Sequence, residues 1–317
     1  KKELLKRDIK IKDINIIEKN LEVYNDLTKE GFSCFKSFQD FLMNKPDINY
    51  AIVSNWGPDH FETALRLLDI NCKRIIIEKP VTNNINDLNK LIELSKIKKA
   101  YITVHHRWKY LEIGKLILQA QQNFELGDPI GFRIIGGALC ISTGGIHWLD
   151  LASEVLRSDL NSIIADMNID YINPRDQKLV YLDGSISYRL DNRKFIHVSY
   201  SNLNSQAPRT EVVYRHGILK IDIRGKIICL KRSKEELEKF RDKNTRYGFF
   251  NYVGEIKFEN SDTVPLVLDD LFNGTEPKVN LERSRNSLKM LIGAIQSSKQ
   301  GKIIKVDEIE DQDVRFS

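Results

Sequence analysis

The stretch Ile75-Ile76-Ile77-Glu78-Lys79-Pro80 sets a carboxylate and an ammonium at the end of three consecutive β-branched residues. Such an apolar run predicts a central strand of a parallel sheet, covered on both faces. The charges then fall at the strand's carboxyl end, where open α/β sheets bind ligands. Pro80 disfavours helical backbone at Lys79 and holds it extended at the strand tip. A lysine placed there and partly desolvated has a lowered pKa and can exchange a proton with a substrate hydroxyl. The same tripeptide would also serve as a strand-end salt bridge from Glu78 to a neighbour, with Lys79 in solvent. A second pair lies at His147 and Asp150, three residues apart on one face of a predicted helix whose apolar stripe is Ile146, Leu149 and Leu156. A carboxylate one turn from a histidine can orient the imidazole and stabilise its charged form. Many helices carry such a pair on a wet surface as well.

The elements that must position these groups alternate along the first third of the chain. Leu4 and Leu5 end an amphipathic helix, and Ile11 to Ile17 reads as a strand finishing at Glu18. An acidic residue at that place in a βαβ unit accepts hydrogen bonds from adenosine ribose hydroxyls, which favours NAD over NADP. Lys19 beside it would tolerate a 2′-phosphate, and a surface glutamate before a loop is the plain alternative. A helix over Phe38 to Met43 precedes a strand Tyr50 to Val53 that ends in Ser54-Asn55-Trp56-Gly57-Pro58. Asp59 and Glu62 spell a capping box for the next helix, and His60 sits in its first turn, as a structural residue or beside Lys79. The strand Ala100 to Val104 ends in His105-His106-Arg107-Trp108. Adjacent histidines point to opposite faces of a strand, which argues against a shared metal. Arg107 and Trp108 suit either a planar, oxygen-rich ligand or a cation–π packing pair.

Beyond this point the pattern changes. A helix over Tyr110 to Gln121, a strand over Ile130 to Ile135 and the loop Ala138 to Gly145 lead into the His147 helix. Residues 178–190 and 194–200 alternate, with Ile186, Tyr188 and Leu190 on one face and His197 on the polar face of its strand. Arg209 to Tyr214 and Ile218 to Ile223 form a hairpin around His216-Gly217, and Leu281 to Ile295 is a last amphipathic helix. The expected fold class is α/β: a doubly wound parallel sheet over residues 1–105, then a large, mostly antiparallel open sheet over 106–317. Its exposed face suits a homodimer or homotetramer.

The 317 residues carry 49 basic and 44 acidic side chains, for a net +5. The basic stretches Lys1 to Lys12 and Lys231 to Arg246 are interleaved with acids or apolar residues and read as solvated helix faces, so no nucleic-acid partner is expected. No apolar run approaches the roughly 18 residues that span a bilayer, which predicts no membrane association. The four cysteines are widely separated without metal-ligand spacing, pointing to a reducing cytoplasm and no metal. No GxGxxG occurs and the sequence starts without methionine. The reading places a first strand and glycine-rich turn before Lys1, in an N-terminally incomplete sequence.

In order along the chain, SNWGPDHFETAL, IIIEKPVTNN, GGIHWLDL, RHGILKID and NSLKMLIGAIQSSKQGKIIKV resemble the Gfo/Idh/MocA family of nicotinamide-dependent oxidoreductases. The resemblance implies a Rossmann domain followed by an α/β domain and hydride transfer at a hydroxyl-bearing carbon of a sugar, sugar derivative or nucleotide sugar. It implies NAD as cofactor, with NADP second. By that resemblance Lys79 and His147 are the catalytic pair. Glu18, Ser54, Asn55, Trp56, His60 and Glu78 border the cofactor, with Arg107, Trp108, Thr143 and Asp150 toward the substrate. Two departures stand out: the glycine loop is absent, and Thr143 occupies a position where polyol-oxidising members carry aspartate. Both would equally suit a ligand-binding or regulatory protein that kept the fold without turnover.

Overall fold

The computed structural model describes residues 2–44, 47–137, 140–168, 181–239 and 249–316. Ala138, Leu139, the start of the alternating stretch at 178–180 and the end of the basic stretch at 240–246 lie outside them.

The first 105 residues alternate as expected. They run α1 (Lys2–Leu5), β1 (Asn15–Ile17), α2 (Leu21–Lys29), β2 (Ser33–Phe35), α3 (Phe38–Met43), β3 (Tyr50–Val53), α4 (His60–Asp69), β4 (Arg74–Ile77), α5 (Ile85–Ile97) and β5 (Tyr101–Val104). All pairings are parallel, but the strands fall in two groups, β1-β2 and β3-β4-β5. The isoleucines of β4 are buried on both faces, as a run without polar alternation requires. The strand expected from Ile11 shortens to Asn15–Ile17. Its partner β2 offers only Ser33, Cys34 and Phe35, and residues 11–13 close a 3-10 turn instead. Asp59 does not cap α4 with its side chain. A preceding 3-10 turn leaves its backbone helical, and its carboxylate lies 3.9 Å from Lys19.

The rest of the chain runs α6 (Arg107–Tyr110), α7 (Ile113–Asn123), β6 (Pro129–Gly137), α8 (Ile146–Leu156), β7 (Leu160–Asn168), β8 (Asp183–Leu190), β9 (Phe195–Ser201), β10 (Arg209–Tyr214), β11 (Gly217–Asp222), β12 (Lys226–Lys231), α9 (Lys234–Lys239), β13 (Asn251–Lys257), α10 (Val264–Phe272), α11 (Leu281–Gln300) and β14 (Ile304–Lys305). The single helix expected over Tyr110 to Gln121 is two, because Glu112 adopts left-handed backbone at φ 55° between α6 and α7. The large sheet has the order β13-β12-β11-β10-β6-β9-β8-β7-β14, and its β6–β9 pair is parallel. Period-two burial holds along β9, where Ile196, Val198 and Tyr200 face the helices. His197 turns to the other face and meets Ser187 at 3.1 Å. Helix α11 crosses the inner face closely at Gly293, where a Cβ would stand 2.4 Å from Ile163 Cδ1. On the outer face Ile135 and Ile164 are 46% and 47% exposed.

One apolar core runs through both halves, from Val53 to Phe316. The last described residues return to the first sheet. The Asp311 carboxylate accepts the N–H groups of Ile85 and Asn86 at 2.6 and 2.9 Å, capping α5. Phe316 is fully buried, and its carbonyl would stand 3.2 Å from a Cβ on Gly57.

Candidate active site

The strand tips bring Glu78, Lys79, His105 and His106 together. Glu78 N–H continues the β3–β4 ladder to Val53 O, and His105 N–H donates to Ile77 O, so both side chains are placed by backbone pairing. His105 Nδ1–H donates to the Glu78 carboxylate at 2.8 Å, and His105 Nε2 meets the Thr263 hydroxyl at 2.9 Å. Burial works to raise the Glu78 pKa. The His105 hydrogen bond and charge, helped by Lys79, win and hold it below the usual carboxylate value. Glu78 therefore makes the strand-end pair that was one reading of the tripeptide.

Lys79 is not in solvent. Its side chain lines a small cavity with Pro80, Leu88, His106, Ile146 and Ser284. Desolvation lowers its pKa against the opposing pull of Glu78. Among the described residues its amine has no hydrogen-bond or ion-pair partner. The Lys79–Pro80 peptide is cis.

His147 opens the second turn of the site. The turn Ile141–Gly145 leads into α8, and the His147 ring meets the His106 ring edge-on at 5.6 Å. His106 is buried, with Nε2 3.4 Å from Ser284 Oγ. Neither Nδ1 has a partner among the described residues. Burial pushes both imidazoles below their ordinary value. His147 is pushed well below, chiefly by burial, and Lys79, His106, His105 and Arg107 act in the same direction.

Asp150 does not orient His147, contrary to the helix-spacing reading. Both its oxygens go to Arg283 on α11, at 2.6 and 3.0 Å. The planar fork of an arginine outcompetes an imidazole one turn away. Arg283 also reaches Glu154 at 2.6 Å, and Glu154 takes Lys109 at 2.7 Å. Trp108 is buried, with its ring centroid 4.4 Å from that of Trp148. Arg107 stacks over Trp108 at 5.8 Å and donates to Asn260 Oδ1 and Ser261 O. Of its two readings, the packing pair is the one formed. Thr143 donates to Cys140 O at 3.3 Å.

His60 is buried and clips two strand-tip loops together, with Nδ1 2.7 Å from Pro80 O and Nε2 3.0 Å from Asn55 O. Desolvation lowers its pKa despite both carbonyls. A neutral ring donates to one carbonyl only. The Asn55 amide donates to Thr63. Ser54 and Trp56 are exposed at the rim. Glu18 accepts Asn20 N–H at 2.7 Å in front of α2.

Three residues of this arrangement were not singled out from sequence: His105, His106 and Thr263. The signal was present in the adjacent histidines. Opposite orientation rules out one metal, and it also sends one ring to Glu78 and the other to His147. No group able to hold a metal ion occurs among the described residues.

Residues 10–106 match the family model described as "Oxidoreductase family, NAD-binding Rossmann fold". The uncharacterized oxidoreductase YhhX of Escherichia coli (strain K12) is 28% identical over 108 residues, 30% of this chain and 31% of its own length. The alignment thus spans about a third of that relative. The WlbA dehydrogenase of Chromobacterium violaceum, solved with NADH and UDP-GlcNAcA, superposes with a TM-score of 0.71 at 14% identity, over 96% of this chain and 91% of its own. UDP-N-acetylglucosamine 3-dehydrogenase GnnA of Acidithiobacillus ferrooxidans gives 0.66 at 14% identity, over 90% and 88%. At such identities these structures establish the shared fold.

Proposed function

We propose that this chain, whose residues 10–106 match the family model of NAD-binding Rossmann-fold oxidoreductases, is an NAD-dependent dehydrogenase or reductase. It acts on a hydroxyl-bearing carbon of a sugar, sugar derivative or nucleotide sugar. The observation that carries the reading is Lys79: a partly buried amine of lowered pKa, uncommitted, at the carboxyl end of the parallel sheet and coupled to His106 and His147.

The residues fit the nicotinamide end of the cofactor. Lys79 stands at a strand tip, and its charge is felt by His147 on α8, as a site that gathers polar groups around one reacting atom requires. Glu78, Asn55 and His60 shape the loops beside them, and Glu18 would meet the adenosine ribose. Lys19 next to it leaves NADP as the second choice. The cofactor, when bound, supplies or accepts the hydride. Lys79 takes the hydroxyl proton in oxidation and returns it in reduction, helped by its lowered pKa. His147, neutral and held edge-on by His106, stands beside this lysine as a second polar group of the site. Arg107 fixes the segment at 260–261, and Thr143 lines the approach to α8. In this reading residues 1–105 hold the cofactor, and 106–317 hold the substrate and assemble the oligomer through the face bearing Ile135 and Ile164. The four free cysteines suit the cytoplasm.

A second reading, a ligand-binding protein without turnover, is favoured by Thr143, which stands in place of a carboxylate. Fluorescence titration of the full-length protein with NADH and NADPH, beside Lys79→Ala, separates the two. NADH binding followed by sugar-dependent turnover of the nicotinamide supports the enzyme. A folded protein that binds neither cofactor overturns it.

A further inference from the structure

An extended segment, residues 311–316, packs against the two loops that follow β3 and β4. Its burial alternates: Val314 and Phe316 are buried, while Asp313 and Arg315 face water. Period-two burial marks a piece of chain laid on a surface by one face. Its root is held by α11, where the Gln296 amide donates to Glu308 O at 3.0 Å and accepts Glu310 N–H at 2.9 Å. From there the segment reaches the strand-tip loops at three points. Asp311 caps α5. Val314 N–H donates to Asn83 O at 3.2 Å. The Phe316 carbonyl approaches Gly57 so closely that a Cβ there would stand 3.2 Å from it and 3.7 Å from Pro80 Cδ. The loops are also tied to each other, by His60 between Pro80 O and Asn55 O and by Asn83 Nδ2, which donates to Pro58 O at 3.3 Å. Ser54, Asn55 and Trp56 remain exposed.

We propose that residues 311–316 are a positioning strap: Phe316 and Asp311 hold loops 54–59 and 80–84 at one spacing, and thereby set the affinity for what binds at their exposed rim. That the ligand is a nicotinamide cofactor rests on the proposed function; the hold on the loops rests on the contacts alone. Outside the short 3-10 turn Gly57–Asp59 neither loop has regular structure, so its place is fixed by the contacts it makes. A loop that samples several arrangements binds with an affinity reduced by the fraction in the competent one. A strap that removes the others raises affinity without touching the ligand. Phe316 supplies the larger hold through apolar burial. Asp311 supplies a directional one, because a carboxylate across two first-turn N–H groups fixes where α5 begins and so where loop 80–84 ends. Gly57 admits the close contact, since any side chain there would crowd the Phe316 carbonyl.

The test compares the full-length wild type with Phe316→Ala, Phe316→Leu and Asp311→Ala by hydrogen–deuterium exchange and by NADH fluorescence titration, with thermal melts to show that each is folded. In Phe316→Ala the amides of loops 54–59 and 80–84 are expected to exchange at least about tenfold faster while those of β7, β8 and β9 keep their rates. NADH then binds at least about fivefold more weakly, and kcat at saturating NADH moves by less than about twofold, a split that a general loss of folded protein would not give. Phe316→Leu, which keeps a large apolar side chain, stays within about twofold of wild type in both readouts. Asp311→Ala, at an exposed position outside the core, shifts the same amides in the same direction and decides the matter where Phe316→Ala does not fold. Exchange that rises throughout the molecule, exchange unchanged at both loops, or an NADH affinity that neither alanine variant alters overturns the proposal. A wild type that binds no NADH removes the dehydrogenase reading, and loop-confined exchange in the variants then leaves the strap standing. NADH binding with loops indifferent to the variants does the reverse.

Discussion

Arg283→Met should be among the more damaging single substitutions in the molecule. The Asp150 side chain is 3% exposed and has both oxygens on this arginine, whose own side chain is 23% exposed. Removing the guanidinium leaves a carboxylate in the core with no cation, a change that costs about 3–5 kcal/mol when a buried pair is broken from one side. Glu154 adds little to the loss, because Lys109 stays at 2.7 Å. Replacing both partners by apolar residues of similar size, Asp150→Leu with Arg283→Met, removes the stranded charge. That double variant should regain at least about 2 kcal/mol over Arg283→Met alone. Urea denaturation of the four proteins of the cycle, compared by linear extrapolation, gives the coupling energy directly. The exposed Lys96–Glu282 pair, which joins α5 to α11 at 2.6 Å, is the control and should be silent when Glu282 becomes Gln. A single-variant loss below about 1 kcal/mol, or a double variant equal to the sum of the singles, would refute the assignment of Asp150 to Arg283.

Three further outcomes follow from the site. If Lys79 is the proton acceptor, the oxidation rate should rise with pH through a pKa below the ordinary lysine value of about 10.4, and Lys79→Ala should lower kcat by about 10²–10⁴. Thr263→Val takes the partner of His105 Nε2 and should cost about 1–3 kcal/mol in urea denaturation, with Thr263→Ser restoring most of it. Glu78 has a folded pKa below its unfolded value. It therefore contributes stability that is present above about pH 4.3 and is lost as pH falls through the folded value. Glu78→Gln should flatten this acid limb when urea midpoints are compared from pH 7 to pH 3.

Where local signals suffice, the sequence already specified the structure. Phe38–Met43 and Tyr50–Val53 have the expected bounds. Ser37 caps the helix by accepting Asp40 N–H, and the strand has a parallel partner to close on. The run Ile75 to Ile77 can only be a strand buried on both faces, and the alternation in β8 and β9 leaves a single register. What stayed hidden are pairings set by topology. Helix spacing put Asp150 beside His147, yet the carboxylate turns to an arginine 133 residues away. His105 meets Thr263 across a separation of 158, and no periodicity encodes such a meeting. Asp59 fails as a cap for a local reason that is equally silent in sequence. The turn before it is already helical, so its side chain cannot reach back.

The Asp311 cap has a bearing on synthesis. The first turn of α5 exposes amides that Asp311 alone receives in the folded chain, and that residue lies 226 positions downstream of Ile85. At about 5–20 residues per second, ribosomal elongation would bring it out roughly 10–45 s later. During that interval the helix beside the Lys79 loop is held at its start by Asn84 alone. The lysine thus acquires its final surroundings only after Ser284 of the last helix and Asp311 have emerged.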